Sequence, residues 1–477
     1  MRLYSLAPSI ALCAAATPLV AQTPNTSNTL GPKIDAVYAK YASPNGPGCV
    51  VGVYQNGRVT FAKGYGAANI ELGAPITPET PFIMGSVSKQ FTAASIALLA
   101  EQGKLRLDDD VRKYVPELPD YGKTITIDQL VHHTSGIRDF WTLVGAADMR
   151  YDDGYTVADV LRLAARQKHL NFDPGAEYNY SNTGYVVLGV IVQRVSGKTL
   201  RQFAQDEIFA PLGMTHTQFH DDHNEPVQGR ASAYEPAPNG KWKIDIWAND
   251  IVGQGGLMTT IGDLQKWDEN FYTGRVGGKA FLARQLQRGV LNDGTKLTYA
   301  YGLELLDYRG LPIVEHTGTT GGYRTAITRF AGQHTSVATM CNVSTANSAA
   351  LTHAVADVVL GSAFTKPVPV AARAANAGSA QQQAATVVLT DAERDALAGR
   401  YYSEELDATY AIERAGSALV LHRPRSGSDT LRASNRDTFR AAAMTFKFAP
   451  GSSSAPSFTI DAGRARGIEF TRLAPSR

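Results

Sequence analysis

Apolar and polar positions divide this chain into three stretches of different period. Residues 49–54 and 59–65 are short runs of β-branched and aromatic type, and Asn56-Gly57 between them is a strong hairpin signal. From Ser88 to about Gln287 the period is mostly helical. Residues 91–100 (FTAASIALLA) are apolar on most faces and stopped by Gly103; residues 156–165, 184–195 (closed by Gly197) and 199–208 read as further helices. Strand-like runs return at 299–307, 312–316, 325–330 and 336–343, and residues 351–360 read as a closing helix. Strands at both ends with helices between predict one antiparallel sheet completed by the two chain halves, beside a helical lobe.

Residues 364–388 are rich in Pro, Ala and Gln without amphipathic period and read as a linker. Beyond them GRYYS, ATYAIER, SALVLHR, DTFRA, FKF, FTIDA and GIEFTRL are short alternating segments between Gly, Ser and Asp. They predict a small all-β barrel or sandwich over 389–475. It carries no cluster of catalytic residue types, so support or substrate restriction is expected of it rather than chemistry.

A chain of 477 residues exceeds what one core usually supports, which agrees with two domains. Hydrophobic content of 44% and charge of 19% are those of a soluble globular protein. The net charge of +2 comes from scattered residues, so neither nucleic acid nor an anionic membrane is implied as partner. Residues 1–21 read as an export signal: Arg2, a short apolar stretch, then Leu19-Val20-Ala21 as a cleavage site. Pro8 and Pro18 leave that stretch too short to span a bilayer, although an uncleaved anchor is the competing reading. The mature chain is therefore expected in the periplasm or secreted, with no membrane span. Cys13 would leave with the signal. Cys49 and Cys341 each sit in a strand-like run and read as buried small hydrophobes; a disulfide is open if their strands are neighbours in an oxidising compartment.

Candidate chemistry begins at Ser86-Val87-Ser88-Lys89. Positions three apart share a helix face, so a hydroxyl and an amine come within reach of each other. A serine is a poor nucleophile until an adjacent base takes its proton. The apolar helix that follows would desolvate Lys89 and depress its pKa. Ser88 reads as a local backbone-bonding residue. Two further clusters are Tyr180-Ser181-Asn182, within PGAEYNYSNTGYVVLG, and His316-Thr317-Gly318, within VEHTGTTGGYRT.

In order, these three resemble the motifs of the penicillin-recognising serine hydrolases: Ser-x-x-Lys, Tyr-x-Asn and Lys-Thr-Gly. The chain is similar to the branch holding class C β-lactamases, D-aminopeptidases, DD-peptidases and β-lactamase-like esterases. LVHHTSGI (130–137) and GQGGLMTTIGDLQKW (253–267) add to the resemblance, which spans about residues 33–363. It implies an α/β (α+β) sandwich beside an all-helical region, with the site in the groove between them, and a lipocalin-like C-terminal module. It also implies Ser86 as nucleophile, with Lys89 and Tyr180 as proton carriers. Asn182 would present its amide to the substrate or to Lys89, and Ser181 or Asn182 can cap a helix at the same time.

The third motif departs from the pattern, since His316 stands where a lysine would meet a substrate carboxylate. Along a strand, His316 and Gly318 would face the site, with Glu315 and Thr317 turned away. Imidazole is mostly neutral at pH 7, so carboxylate capture should weaken. Gly318 would let backbone approach the substrate, and the N–H groups of Thr319 and Ser86 would form an oxyanion hole. Arg324 could return positive charge to the pocket; a surface salt bridge is the competing reading. His216, His220, Asp221, Asp222 and His223 are of metal-ligating type but lie in a turn-like stretch, so neither metal nor cofactor is expected. His132 and His133 read as structural supports, and Asp108 to Asp110 as a solvated turn.

The expectation is an exported serine hydrolase working through an acyl-enzyme on a small ester, amide or peptide. Esterase or D-amino-acid-directed peptidase stands ahead of β-lactamase or DD-carboxypeptidase. A penicillin-type sensor, acylated without turnover, is the reading from another class. Oligomeric state is left open.

Overall fold

Two stretches of chain far apart in sequence complete one sheet. In the computed structural model residues 27–367, 387, 389–449 and 457–474 are described. The expected export signal, and all of the expected linker but residues 364–367 and 387, lie outside them. Strands β1 (Cys49–Gln55) and β2 (Arg58–Tyr65) form a hairpin on Asn56 and Gly57, whose φ angles are 49° and 74°. That pair of positive φ values is why Asn-Gly is favoured in such turns. The other half supplies β3 (Glu304–Tyr308), β4 (Leu311–Thr320), β5 (Tyr323–Phe330) and β6 (Thr335–Cys341). Their order, all antiparallel, is β3-β4-β5-β6-β1-β2.

Both faces of the sheet are covered, so β1 and β6 read as apolar runs rather than strict alternations. Val50 and Tyr54 enter one core with Ile261, Trp267 and Met340. Val51 and Val53 enter the other with Ile34, Tyr38 and Val355. Cys49 lies directly opposite Cys341, and the two are disulfide-bonded across 292 residues. The reading of two free buried thiols is thereby corrected: the β1–β6 register, invisible in the spacing, sets them face to face.

The helical lobe is built around α1 (Lys89–Glu101), buried from Lys89 to Leu99, and α2 (Asn182–Ser196), ended by Gly197 at φ 74°. The structure departs from the expected pattern in several places. Ala233–Pro236 and Trp242–Asp245 pair as a hairpin, and Phe82–Ile83, Leu257–Thr259 and Gln218–Phe219 form a small sheet. All five strands are too short to show a period. Residues 299–303 do not extend β3, because Gly302 turns at φ 69° against α1; a Cβ there would lie 2.4 Å from Gln90 N.

At the C-terminus eight antiparallel strands between Gly399 and Arg472 close into a barrel. One of them, Gly427–Ala433, carries no clear alternation and is absent from the expected set. The barrel interior is filled by Tyr401, Tyr410, Phe439, Phe446, Phe458 and Phe470. It docks on the lobe through Leu143, Ala146 and Ala147 and through a buried Arg138–Glu405 ion pair. Among the described residues no helix is long and apolar enough to cross a membrane.

Tying two chain halves together restricts the unfolded state, and the effect grows with the loop closed. The double variant Cys49→Ala, Cys341→Ala should lose about 2–4 kcal/mol in chemical denaturation. Identical midpoints under oxidising conditions would show that the bond contributes nothing.

Candidate active site

A short 3-10 turn, Gly85–Ser88, leads into α1 and carries Ser86 at the surface of a groove. Ser88 Oγ donates to Gly85 O (2.6 Å) and accepts from Leu257 N–H (3.0 Å), the backbone-bonding role expected of it. Strand β4 lies directly on this turn. A Cβ at Gly318 would be 2.0 Å from Met84 O, and one at Gly85 (φ 52°) would be 2.7 Å from Thr319 N. Only glycine permits two backbones to approach so closely. Ser86 and Thr319 thus line one cavity of about 930 Å³.

Lys89 is fully buried, and its Nζ has three neighbours: Ser86 Oγ at 3.1 Å, Asn182 Oδ1 at 2.8 Å and Gln254 O at 2.7 Å. The orientation of Asn182 is fixed from behind. Its backbone N–H and its Nδ2 both donate to Asp139 Oδ1 (2.7 and 2.8 Å), which turns Oδ1 toward the amine. Two acceptors therefore take two N–H groups of Lys89. A neutral amine then has its lone pair left for the Ser86 hydroxyl. Electrostatics agree, since desolvation holds Lys89 well below the ordinary lysine value, Asp139 opposing and Arg464 assisting.

Tyr180 and Asn182 arrive together. Ser181 caps α2, its Oγ accepting from Gly184 N–H, so the capped loop and the contact with Lys89 coexist. Behind the loop, His133 Nδ1 accepts from Ser181 N–H (3.1 Å), and its ring lies 4.2 Å from that of Tyr180. Tyr180 keeps part of its surface on the cavity, yet desolvation raises its phenol above the ordinary value, with Ser86 pulling the other way. Lys89 Nζ is 4.7 Å from the centre of its ring.

His316 is buried with its tautomer set by its neighbours. Nδ1–H donates to Thr317 O (2.7 Å), leaving Nε2 to accept from Tyr299 O–H (3.1 Å). Burial, then the charge of Lys89, pushes its pKa down to about 4. Thr317, expected to face away, lines the cavity, whereas Gly318, expected to face it, is turned against Met84 O and does not line it. Arg324 lines it too, but its Nη1 donates to Gly321 O (2.5 Å) and Tyr323 O (2.8 Å), and Asp245 lies close. Of the metal-ligating types, only Asp222 and His223 converge, with Asp250, and His223 already hydrogen-bonds Asp250 (2.9 Å). None of the three lines the cavity.

The sequence model of the Beta-lactamase family matches residues 34–360. The chain belongs to the Beta-lactamase family. It is 28% identical over 314 residues to a D-aminopeptidase of Gluconobacter oxydans, covering 64% of this chain and 58% of that one. It is 28% identical over 292 residues to penicillin-binding protein 4* of Bacillus subtilis, covering 58% of this chain and 64% of the relative. The chain thus spans less than two-thirds of the length of these relatives. An octameric penicillin-binding protein homologue from Pyrococcus abyssi shares the fold over 94% of this chain and 100% of its own, with a TM-score of 0.63 at 23% identity. A D-amino acid amidase from Ochrobactrum anthropi SV3 matches 70% of this chain and 99% of its own, with a TM-score of 0.58 at 22% identity.

Four residues of this Beta-lactamase-family site escaped sequence reasoning. Gln254 lies in the 253–267 stretch that carried the resemblance, but it acts through its carbonyl, which no side-chain pattern shows. Asp139 caps the helix Phe140–Ala146 as well as holding Asn182. Tyr299 opens a run that reads as strand, and Arg464 lies in a two-residue turn with no site signal of its own.

Burying Lys89 makes stability depend on pH in a definite direction. Its folded pKa is depressed, so the unfolded chain binds more protons between that value and about 10.4, and stability rises with pH across this window. Lys89→Met should remove that slope, unfold at higher denaturant concentration near pH 7 and lose turnover. A parallel pH dependence of unfolding in the two proteins would contradict the buried neutral amine.

Proposed function

We propose that this chain is an exported serine hydrolase that cleaves an ester or amide through an acyl-enzyme on Ser86. The observation that carries the reading is the Lys89 amine, buried 3.1 Å from Ser86 Oγ with its other neighbours both acceptors. Lys89 takes the hydroxyl proton as Ser86 Oγ attacks the substrate carbonyl. A base positioned in this way contributes roughly 10²–10⁴ in rate. The oxyanion accepts from the N–H groups of Ser86 and Thr319, each worth roughly 10²–10³. Tyr180, whose raised phenol stays protonated, hands a proton to the leaving group and regains one from Lys89. Water then releases the acyl group by the reverse relay.

An esterase or a D-amino-acid-directed peptidase fits better than a β-lactamase or DD-carboxypeptidase. Neutral His316 offers no charge at the position where those enzymes hold a substrate carboxylate. The relatives named D-aminopeptidase support the same direction. The Cys49–Cys341 disulfide supports an oxidising compartment.

A panel of short esters, D- and L-amino-acid anilides and a cephalosporin should show turnover that Ser86→Ala abolishes. Mass spectrometry should detect a transient acyl adduct on Ser86. A permanent adduct without turnover would replace the enzyme by a sensor, and activity surviving Ser86→Ala would sink the reading. The pH profile is a second check. Only neutral Lys89 accepts the proton, so kcat/KM should rise with pH through an ionisation well below the ordinary lysine range and then level. A first rise near pH 10 would remove Lys89 from the role of base.

A further inference from the structure

The C-terminal barrel enters the catalytic groove at one point. Between the strands Phe458–Ala462 and Ala465–Arg472 the tight turn Gly463-Arg464 projects onto the lobe. Arg464 lines the same cavity as Ser86, Tyr180 and His316. Its guanidinium carbon lies 4.7 Å from the centre of the Tyr180 ring.

The turn is fixed on both sides of this residue. Asn171 Nδ2 donates to Arg464 O (2.8 Å), and Asn171 Oδ1 accepts from Arg466 N–H (2.8 Å). Arg138 Nη2 donates to Arg466 O (2.6 Å), and Arg466 pairs with Glu177 (3.0 Å). The backbone is therefore clamped while the Arg464 side chain is presented. Among the described residues no carboxylate pairs with its guanidinium, although neighbouring Arg466 has one. Contact with an aromatic face holds a guanidinium without using its N–H fork.

Two other cations of the cavity are engaged: Arg150 pairs with Asp152, and Arg324 is bonded to its own turn near Asp245. Lys243 is exposed on the cavity wall, where its charge acts on Asp152 and Asp245. At the Ser86 end, His316 stands in place of a lysine, which leaves Arg464 as the cation facing Tyr180.

We propose that Arg464 of the C-terminal barrel grips a carboxylate on the leaving-group side of the substrate. This rests on the acyl-enzyme reading above, in which Tyr180 meets the leaving group and so places it beneath the guanidinium. The substrate class becomes an acyl ester or amide whose departing half is anionic; where that half is a C-terminal amino acid, Arg464 supplies the charge whose absence at His316 set the carboxypeptidase behind the esterase above. The lost anchor of the third motif is then replaced from a different domain.

The test uses two phenyl esters of one N-acyl-D-alanine, with a meta-carboxylate or a meta-carboxamide on the phenol. Wild type should favour the carboxylate. Arg464→Ala should lower the carboxylate-to-carboxamide ratio of kcat/KM by roughly 10- to 100-fold, mainly through KM, and Arg464→Lys should recover part of it. Arg324→Ala should leave the ratio in place. A ratio equal in wild type and Arg464→Ala, or lost only in Arg324→Ala, overturns the proposal. Binding of both esters to Ser86→Ala, read from the fluorescence of Trp141 and Trp247 in the cavity wall, should show the same preference and the same dependence on Arg464. If neither ester is hydrolysed, or hydrolysis survives Ser86→Ala, the acyl-enzyme reading falls while the binding ratio still decides the role of Arg464.

Discussion

An amino group kept out of water beside a serine hydroxyl is the constraint that the rest of this molecule serves. Burial alone would make Lys89 neutral, but burial alone would also leave an unpaired polar group at considerable cost. Here the donor count closes: two acceptors for two N–H groups, and a hydroxyl for the lone pair. A third carbonyl in place of Ser86 would have favoured the ammonium. Charge state is thus written into hydrogen-bond topology as well as into desolvation. Asp139 belongs to the same device, because without it nothing would hold the Asn182 amide oxygen toward the amine.

Precision of this kind needs rigid surroundings. The Ser86 turn is clamped between β5 and the strand Leu257–Thr259, through Thr325 Oγ1 donating to Met84 O (2.7 Å) and Leu257 N–H donating to Ser88 Oγ. The Gln254 carbonyl is placed by a loop pressed on α2: Gly253, at φ 104°, would put a Cβ 2.5 Å from Tyr185 O. Each close approach uses a glycine at the interface between two elements, so groove geometry follows from backbone contact rather than from side-chain choice. The disulfide fixes the seam of the same sheet where the two chain halves meet.

What the sequence made legible follows from how local each signal is. Ser86 and Lys89 are one helical turn apart, Asn56-Gly57 dictates its own turn, and Ser181 caps its own helix; all three could be read from a few residues. The sheet of two chain halves and the all-β C-terminus followed from where the period changes. Residues 299–303 misled because Tyr299 and Tyr301 look like strand positions, while the turn at Gly302 is imposed by α1. The Cys49–Cys341 pairing needs a strand register, and Asp139, Gln254 and Arg464 need contacts between distant segments. Thr317 shows that strict alternation is a poor guide here, since the consecutive β4 residues His316 and Thr317 both line one cavity.

The barrel is bound to this chemistry through two consecutive residues that point opposite ways. Arg138 enters the barrel interface, where Glu405 accepts from it and also from the N–H groups of Lys168 and Glu469. Asp139 turns inward to Asn182. Removing one partner of a buried ion pair costs about 3–5 kcal/mol, so undocking the barrel would disturb the segment that orients the lysine's acceptor. A barrel interior filled with aromatic rings gains stability from packing, and the Gly463-Arg464 turn carries the barrel to the groove. Docking energy is then spent on position: the same interface that braces Asp139 also holds the Gly463-Arg464 turn over Tyr180. Lobe and barrel meet at one groove: Asp139 holds the Asn182 amide from within the lobe, while its neighbour Arg138 anchors the barrel whose Gly463-Arg464 turn brings a guanidinium to the phenol.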